Sequence, residues 1–193
     1  MSVRIILASA SPRRRELMEM LRAPGLEVIP AQGEETPDPA LSPAELVMAL
    51  SRQKAAEVCA RCGDDAAVVI GADTVVALDG EILGKPKDTE DARRMLSALS
   101  GRSHEVYTGV TVRRGDAARS AFERTLVTFR PLEAGEIDRY IATGEPMDKA
   151  GAYGAQGLAS LFVERLEGDF FNVMGLPLCL LGKLLKGLDV RLI

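Results

Sequence analysis

Residues 68–88 read VVIGADTVVALDGEILGKPKD, and this stretch carries most of the chemistry that the sequence reveals. Two apolar runs, at 68–70 and 75–78, predict two short strands with a turn between them. Asp79-Gly80, directly after the second run, is a strong signal for a two-residue hairpin. Asp73 falls in the predicted turn, where it is either a turn residue or a carboxylate held in place for chemistry.

The hairpin has an acid on one side and a base on the other, because Asp73 precedes it and Lys85 follows it between Gly84 and Pro86. A carboxylate can hold a metal cation while an ammonium faces an anion, so the pair suits a phosphate substrate with its metal ion. Gly71, close to Asp73, would let the backbone approach such a ligand. Short motifs are weak evidence when taken singly, and a plain surface hairpin is the simpler alternative.

The composition is that of a globular protein with one domain or two merged lobes. The 193 residues are 47% hydrophobic and 27% charged, which argues against a disordered chain or a membrane protein. A formal net charge of −4 gives no general attraction to nucleic acid, so anion binding must come from a local basic cluster. Three cysteines suggest no disulfide framework, and Cys59 and Cys62 are expected to be structural. Free thiols without an export signal in view predict the reducing cytoplasm.

A local basic cluster follows the first predicted strand, residues 3–8. Ser11 can cap a helix with Pro12 at its first position, which puts the three arginines 13–15 in the first turn. Cations are disfavoured at this end of the helix dipole, but a bound anion would reverse the balance. Free N–H groups, the hydroxyls of Ser9 and Ser11, and the guanidiniums would then form a phosphate cradle. A solvated basic turn is the alternative.

Two further candidates lie between this helix and the hairpin. The polar loop at 31–39 contains Glu35, whose carboxylate could share a metal ion with Asp73. The capping box Ser42-Pro-Ala-Glu45 opens a long helix that carries Lys54. Lys54 is either a phosphate ligand or a solvated charge.

The remainder of the chain adds more helices and strands and a glycine-rich segment, residues 144–157. Closely spaced glycines either present backbone amides to a ligand or make a series of tight turns. The other elements expected are a strand at 26–29, a helix at 88–100, paired strands at 105–113 and 121–129, a helix at 131–143, a strand at 161–164, a loop at 168–173 and a final helix at 175–186.

Several strings of sequence, in a fixed order, are spread nearly from one end of the chain to the other. They are LASASPRRREL at 7–17, SRQKA at 51–55, GADTVV at 71–76, GKPKD at 84–88, LSGRSHEVYTGV at 99–110, DKAGAYGAQG at 148–157 and NVMGLPL at 172–178. The residues in these strings, and the order of the strings along the chain, resemble those of the Maf family of nucleotide pyrophosphatases. Several long strings in the right order are far more specific than any single motif.

The resemblance implies an α/β fold in which helices flank a long twisted mixed sheet, with a substrate cleft between two merged lobes, as in inosine-triphosphatase-like proteins. It implies a single domain over residues 1–193. The implied reaction is hydrolysis of nucleoside triphosphates to monophosphate and pyrophosphate with a divalent cation, Mg²⁺ or Mn²⁺. Asp73 matches the catalytic acid-base residue and, with Glu35, the metal ligands. The implied phosphate-binding residues are Arg13, Arg14, Lys54 and Lys85, to which the cradle adds Ser9 and Ser11.

Three positions bear on the substrate. Arg13, Thr74 and Gln156 match the positions that separate members resembling dTTP/UTP pyrophosphatases from those acting on 7-methyl-GTP, and here they resemble the dTTP/UTP group. A glutamine amide offers a donor and an acceptor that complement the N3–H and O4 edge of uracil and thymine. Ala155 stands where a larger aliphatic residue is expected, which leaves the fine substrate preference open. Aromatic residues are only 4% of the chain, and Tyr153 is a candidate for stacking on the base.

The predicted function is a cytoplasmic enzyme that removes dTTP, UTP and modified pyrimidine triphosphates from the nucleotide pool. Its expected partner is the nucleoside triphosphate, with a homodimer as an option and with neither nucleic acid nor membrane. Two alternatives stay open. One is a 7-methyl-GTP pyrophosphatase, and the other is a nucleotide-binding regulator of septum formation, in which the nucleotide is a ligand and is not turned over.

Overall fold

The computed structural model describes residues 3–23, 25–33 and 38–192. Within these ranges the strands are β1 (Ile5–Leu7), β2 (Leu26–Val28), β3 (Val68–Leu78), β4 (Glu81–Leu83), β5 (Ser103–Arg114), β6 (Ala117–Phe129) and β7 (Val163–Glu167). The α-helices are α1 (Pro12–Met20), α2 (Pro43–Cys62), α3 (Thr89–Leu99), α4 (Ala134–Ala142), α5 (Phe170–Met174) and α6 (Leu178–Lys186).

The strands form one mixed sheet in the order β2-β1-β3-β5-β6-β7, with β4 paired to β3 outside this path. Strand β1 runs parallel to both β2 and β3, with Ile5 opposite Leu26 on one side and Val68 on the other. Strand β4 is antiparallel to β3, and β7 is antiparallel to β6. The predicted α/β fold with a mixed sheet and helices is therefore confirmed.

The predicted turn at Asp73 is wrong, because Val68–Leu78 is a single strand of 11 residues. The residues between the two apolar runs, which include Gly71 and Asp73, continue the strand, and both of these residues are buried. The predicted hairpin after the strand is confirmed. Asp79 and Gly80 have φ angles of 52° and 85°, as a type I′ turn requires, and Leu78 pairs with Glu81.

Three predicted helix starts are confirmed by their caps. The side chains of Ser11, Ser42 and Asp88 each accept a hydrogen bond from the backbone N–H three residues later. These bonds satisfy donors that the first turn of a helix leaves without an intrahelical partner. Helix α2 also has the predicted capping box, in which Glu45 accepts a hydrogen bond from the N–H of Ser42.

Two predicted elements near the C-terminus need correction. The predicted loop at 168–173 contains the start of α5. This helix begins there because Asp169 Oδ1 accepts hydrogen bonds from the N–H groups of Phe171, at 2.7 Å, and Asn172, at 3.4 Å. The strand predicted at 161–164 lies two to three residues later, as β7, because a 3₁₀ turn occupies Leu158–Leu161.

The chain forms two compact units. The first unit comprises Met1–Asp73, Thr108–Glu123 and Gly175–Ile193, and the second comprises Thr74–Tyr107 and Arg124–Met174. The prediction of a single domain and of a substrate cleft stays a prediction. Across the described residues, none of the helices is both long enough and apolar enough to cross a bilayer.

Each unit has its own apolar core. In the first unit, small and β-branched side chains from β1, α2 and β3 and from the residues next to these strands pack together, namely Ile6, Ala8, Ala55, Val58, Ala67 and Val69. In the second unit, the core includes the aromatic residues Phe129, Tyr140, Tyr153 and Phe162, which contact one another edge to face. Aromatic pairs in this geometry add to the free energy gained by burying their area.

Candidate functional site

An ion pair between Lys54 and Asp73 is the central feature of the first unit. The Nζ atom of Lys54, on α2, donates to Oδ1 of Asp73, on β3, at 2.5 Å. Both side chains are largely shielded from water, with exposed fractions of 14% and 11%. A carboxylate and an ammonium at this depth are retained together because either charge alone would be costly to bury.

The pair forms because α2 lies unusually close to β3. A Cβ atom built at Gly71 would lie 2.3 Å from the carbonyl oxygen of Ser51 and 2.9 Å from the backbone nitrogen of Ala55. Side chains two residues apart on a strand share a face, so Asp73 faces the helix that Gly71 admits. The expectation that Gly71 lets a ligand approach is therefore corrected. The close neighbour of this glycine is the helix that carries Lys54.

A second glycine fixes the same helix. A Cβ atom at Gly109, on β5, would lie 2.3 Å from the carbonyl oxygen of Val47 on α2. In the same interface, the hydroxyls of Ser51 and Thr111 are 2.8 Å apart and buried. Helix α2 is thus held against two strands over more than one turn, which makes the position of Lys54 well determined.

The carboxylate of Asp73 keeps one oxygen for chemistry. Lys54 occupies Oδ1, and within the described residues no hydrogen bond to Oδ2 is present. That oxygen can accept a hydrogen bond from water or ligate a cation. The ammonium beside it lowers the negative charge of the site and favours a phosphate group nearby.

Helix α1 begins shortly after β1, and β1 ends beside β3 three residues before Asp73. The N–H of Ala8, after β1, donates to the carbonyl oxygen of Ile70, three residues before Asp73, at 2.8 Å. The oxygen of Ser9 then accepts two hydrogen bonds, from Ser11 N at 3.2 Å and from Nη1 of Arg14 at 3.2 Å. Because both acceptor positions are used, the hydroxyl hydrogen of Ser9 is left to donate to a ligand.

The three arginines of α1 have different surroundings, although the sequence presents them as one cluster. Arg14 is buried, and its Nε donates to the carbonyl oxygen of Gly175 at 2.7 Å. Arg15 is exposed and pairs with Glu19 at 2.7 Å. Arg13 is half-buried and makes no ion pair with any residue that the structure describes, and the first turn of α1 carries no acidic residue. Arg13 is thus the guanidinium best placed to bind an anion, whereas Arg14 is bonded to the backbone at Gly175.

The second unit contains Thr74, Lys85 and Gln156. Thr74 follows Asp73 on β3, so its side chain faces the opposite side of the strand, the side on which Val76 packs against Gly151. Lys85 and Gln156 are both exposed. The N–H of Gly151 donates to the carbonyl oxygen of Gly84 at 3.0 Å, which joins the loop of Lys85 to the glycine-rich segment of Gln156.

The structure therefore brings together the predicted residues of the first unit, with Lys54 on Asp73 and with Ser9, Ser11 and Arg14 in one hydrogen-bonded group. It describes no hydrogen bond that joins Thr74, Lys85 and Gln156 to one another. Glu35, the second predicted metal ligand, lies outside the described residues.

A family model for Maf-like proteins matches residues 4–188. The chain belongs to the Maf family. A relative named dTTP/UTP pyrophosphatase, from Bacillus cytotoxicus, is 49% identical over 186 residues, which is 96% of this chain and 96% of the relative. A second protein of that name, from Bacillus velezensis, is 49% identical over 99% of this chain and 100% of its own. The predicted membership of the Maf family is confirmed.

Two solved structures show a more distant likeness to this Maf-family chain. A protein titled nucleoside-triphosphatase / dITP/XTP pyrophosphatase, from Mycobacterium abscessus, covers 67% of this chain and 76% of its own, with 17% identity and a TM-score of 0.44. A HAM1 protein from Coxiella burnetii covers 66% of this chain and 73% of its own, with 18% identity and a TM-score of 0.45.

The described residues of this Maf-family chain offer one carboxylate oxygen, not a complete set of protein ligands, for a magnesium-like ion. Among the described residues there is no group of three or more His, Cys, Asp or Glu side chains that could enclose a metal. Mg²⁺ is usually held by one or two carboxylates together with substrate phosphates and water. Oδ2 of Asp73 supplies one such ligand, so the residues present fit an ion that arrives with the triphosphate.

Sequence reasoning missed a second set of buried polar groups, in the second unit of this Maf-family chain. His104 is the single histidine of the sequence, and its Nε2 lies 2.8 Å from the hydroxyl of Tyr153. Tyr153 is 5% exposed and packs edge to face on Phe129. The expectation that Tyr153 stacks on a base is therefore wrong, because its ring faces are covered by the core. Both residues lie in strings that carry the family resemblance, at 99–110 and 148–157, and this was the one signal in the sequence that could have drawn attention to them.

Proposed function

We propose that this chain hydrolyses dTTP and UTP to the nucleoside monophosphate and pyrophosphate, a proposal supported by relatives that are named dTTP/UTP pyrophosphatase. The observation that carries the proposal is the shielded Lys54–Asp73 pair, in which Asp73 lies on β3 just beyond the point where the neighbouring strand β1 ends and the chain leads into α1. A carboxylate with one uncommitted oxygen, beside cations and a hydroxyl donor, is the set of groups that water attack on a phosphoanhydride needs.

The residues of the first unit have distinct roles in this proposal. Oδ2 of Asp73 orients the attacking water and takes its proton, as the bond between the α-phosphorus and the bridging oxygen breaks and pyrophosphate leaves. Lys54 and Arg13 offset the negative charge that grows on the leaving group. The hydroxyl of Ser9 donates to a phosphate oxygen, while Ser11 and Arg14 hold the loop and helix that present it. A divalent cation, Mg²⁺ or Mn²⁺, would be held by Asp73 and Glu35 and would neutralise further phosphate charge, with Asp73 using a lone pair that neither Lys54 nor the attacking water occupies.

The residues of the second unit serve substrate recognition in this proposal. The exposed amide of Gln156 pairs with the N3–H and O4 of uracil or thymine, and Thr74 lies among the positions that favour this substrate group. Lys85 contributes an exposed ammonium for the phosphates. Three free cysteines agree with a reducing compartment, so we place the enzyme in the cytoplasm. The homodimer stays a prediction that light scattering of the purified chain would measure.

Substitution of Asp73 by Asn tests the catalytic role. We expect Asp73→Asn to lower kcat for UTP by at least about 100-fold, because an amide cannot take the proton of the attacking water. Asp116→Asn, which changes an exposed turn residue between β5 and β6 in the same unit, is the matched control and should keep its rate. An Asp73→Asn protein that is folded, as judged by circular dichroism, and retains a near-normal rate would refute the mechanism.

A further inference from the structure

The glycine-rich segment that carries Gln156 is held by a buried tyrosine and a glutamate that no motif pointed to. The hydroxyl of Tyr140, on α4, donates to Oε1 of Glu145 at 3.0 Å. The same hydroxyl accepts a hydrogen bond from Gly154 N at 3.2 Å, and Oε2 of Glu145 accepts one from Leu158 N at 3.1 Å. One linked pair of side chains therefore holds the backbone two residues before Gln156 and two residues after it.

Close packing reinforces these hydrogen bonds. A Cβ atom at Gly157, the residue after Gln156, would lie 2.3 Å from Oε1 of Glu145, so the carboxylate lies directly against this part of the backbone. The ring of Tyr140 is 4% exposed and packs edge to face on Phe162, at 5.2 Å between centroids. The buried ring fixes the hydroxyl, and the hydroxyl fixes the carboxylate.

The backbone around Gln156 therefore has little freedom, while its side chain stays exposed. An amide discriminates between bases only if its donor and its acceptor reach the base edge together. A displacement of about 1 Å is enough to break such a two-point contact. The hydrogen bonds to the N–H groups of Gly154 and Leu158 prevent such a displacement, because they fix the backbone on both sides of Gln156.

We propose that Glu145, together with Tyr140, is a positioning residue for base selection, which acts by fixing the backbone on both sides of Gln156. This rests on the proposed function, in which Gln156 reads the uracil or thymine edge. Glu145 touches neither the substrate nor the reacting atoms in this proposal, so its loss should alter selectivity and KM more than kcat.

The test compares kcat/KM for UTP with kcat/KM for CTP in the parent, four test variants and one control variant. We expect Glu145→Ala to lower this ratio about tenfold through a higher KM for UTP, with kcat changed by less than about threefold. Glu145→Gln keeps one acceptor oxygen and should recover part of the ratio. Tyr140→Phe keeps the buried ring and removes the hydroxyl, and it should lower the ratio even if Glu145→Ala does not fold. Gln156→Ala removes the reading amide itself.

Glu164→Ala, which removes an exposed carboxylate from β7, is the matched control and should leave the ratio unchanged. If Gln156→Ala lowers the ratio while Glu145→Ala and Tyr140→Phe do not, the positioning role is refuted and the proposed function stands. If Gln156→Ala itself leaves the ratio unchanged, the recognition role of Gln156 fails, and the positioning role fails with it. A fall in kcat for all nucleotides equally in Tyr140→Phe and Glu145→Ala would mean a purely structural role.

Discussion

Acid should destabilise this protein in part through the buried histidine of the second unit. His104 is 1% exposed, its Nε2 lies 2.8 Å from the hydroxyl of Tyr153, and its Nδ1 has no hydrogen-bond partner among the described residues. Protonation would place a second N–H and a full charge where neither water nor an acceptor can reach them. Burial therefore lowers the pKa of His104 from 6.5 to about 4.

The sign and size of the effect follow from proton linkage. In the unfolded chain His104 binds a proton below about pH 6.5, whereas in the folded chain it stays neutral until about pH 4. The free energy of unfolding is therefore highest above pH 6.5 and falls as the pH decreases from 6.5 to 4. Between pH 7 and pH 5 this one group should lower the free energy of unfolding by about 2 kcal/mol.

The assay is urea unfolding at pH 7 and pH 5 for the parent protein and for His104→Gln. The glutamine can still bond to Tyr153 but cannot titrate, and the carboxylates titrate alike in both proteins. We expect His104→Gln to be the less stable protein at pH 7, because the substituted side chain fits the core less well. The gap should shrink by about 2 kcal/mol at pH 5. A gap that stays constant to within about 0.5 kcal/mol would refute the reasoning, because the native ring would then titrate as it does in water.

Two further predictions concern the first unit. Gly71→Ala should lower the free energy of unfolding by at least about 2 kcal/mol in a urea titration, because its Cβ would lie 2.3 Å from the carbonyl oxygen of Ser51. Gly182→Ala, on α6, is the control: its added Cβ has nothing within 4 Å, so this substitution should be neutral or stabilising by up to about 1 kcal/mol. Equal losses in the free energy of unfolding for Gly71→Ala and Gly182→Ala would contradict the close approach of α2. Arg13→Ala should raise the KM for UTP about tenfold or more, since it removes a guanidinium that no described carboxylate neutralises. Arg15→Ala should keep the KM for UTP within about twofold of the parent value, because the Arg15 guanidinium is exposed and pairs with Glu19. Equal changes in KM for the two variants would mean that Arg13 and Arg15 are both solvated surface charges.

Local chemistry in the sequence was sufficient to predict the helix starts and the tight turn. The caps at Ser11, Ser42 and Asp88 and the hairpin at Asp79-Gly80 depend on hydrogen bonds and φ angles within a few residues. The cap at Asp169, which starts α5, follows the same rule and was overlooked. These features are local, so no knowledge of tertiary packing is needed to find them.

Features that depend on tertiary packing could not be predicted in this way. The sequence predicts a turn around Gly71, yet this glycine lies inside a strand, where the absence of a side chain makes room for helix α2. Arg13, Arg14 and Arg15 read as one basic cluster, and only the fold shows that Arg14 bonds to the backbone at Gly175 and Arg15 to Glu19. The ring of Tyr153 was expected at a base and is covered by Phe129 instead.

The candidate site was predicted in its chemistry but only partly in its geometry. Asp73 and Lys54 were named separately, from a hairpin and from a helix, and their contact at 2.5 Å depends on two glycines that admit α2. The bracing of Gln156 by Tyr140 and Glu145 joins residues that are 14 and 13 positions from their backbone partners. Hydrogen bonds at such separations leave no periodic signal in the sequence.

The proposed reaction is tested most directly by identifying the products that the purified chain forms from each common nucleoside triphosphate and from 7-methyl-GTP, with Mg²⁺ or Mn²⁺ present. Pyrophosphate and the monophosphate, released chiefly from dTTP and UTP, are the expected result, with Asp73→Asn as the inactive reference. Release mainly from 7-methyl-GTP would contradict the substrate assignment. Orthophosphate would contradict cleavage between the α- and β-phosphates, and binding of nucleotide without any turnover would favour a regulatory nucleotide-binding protein.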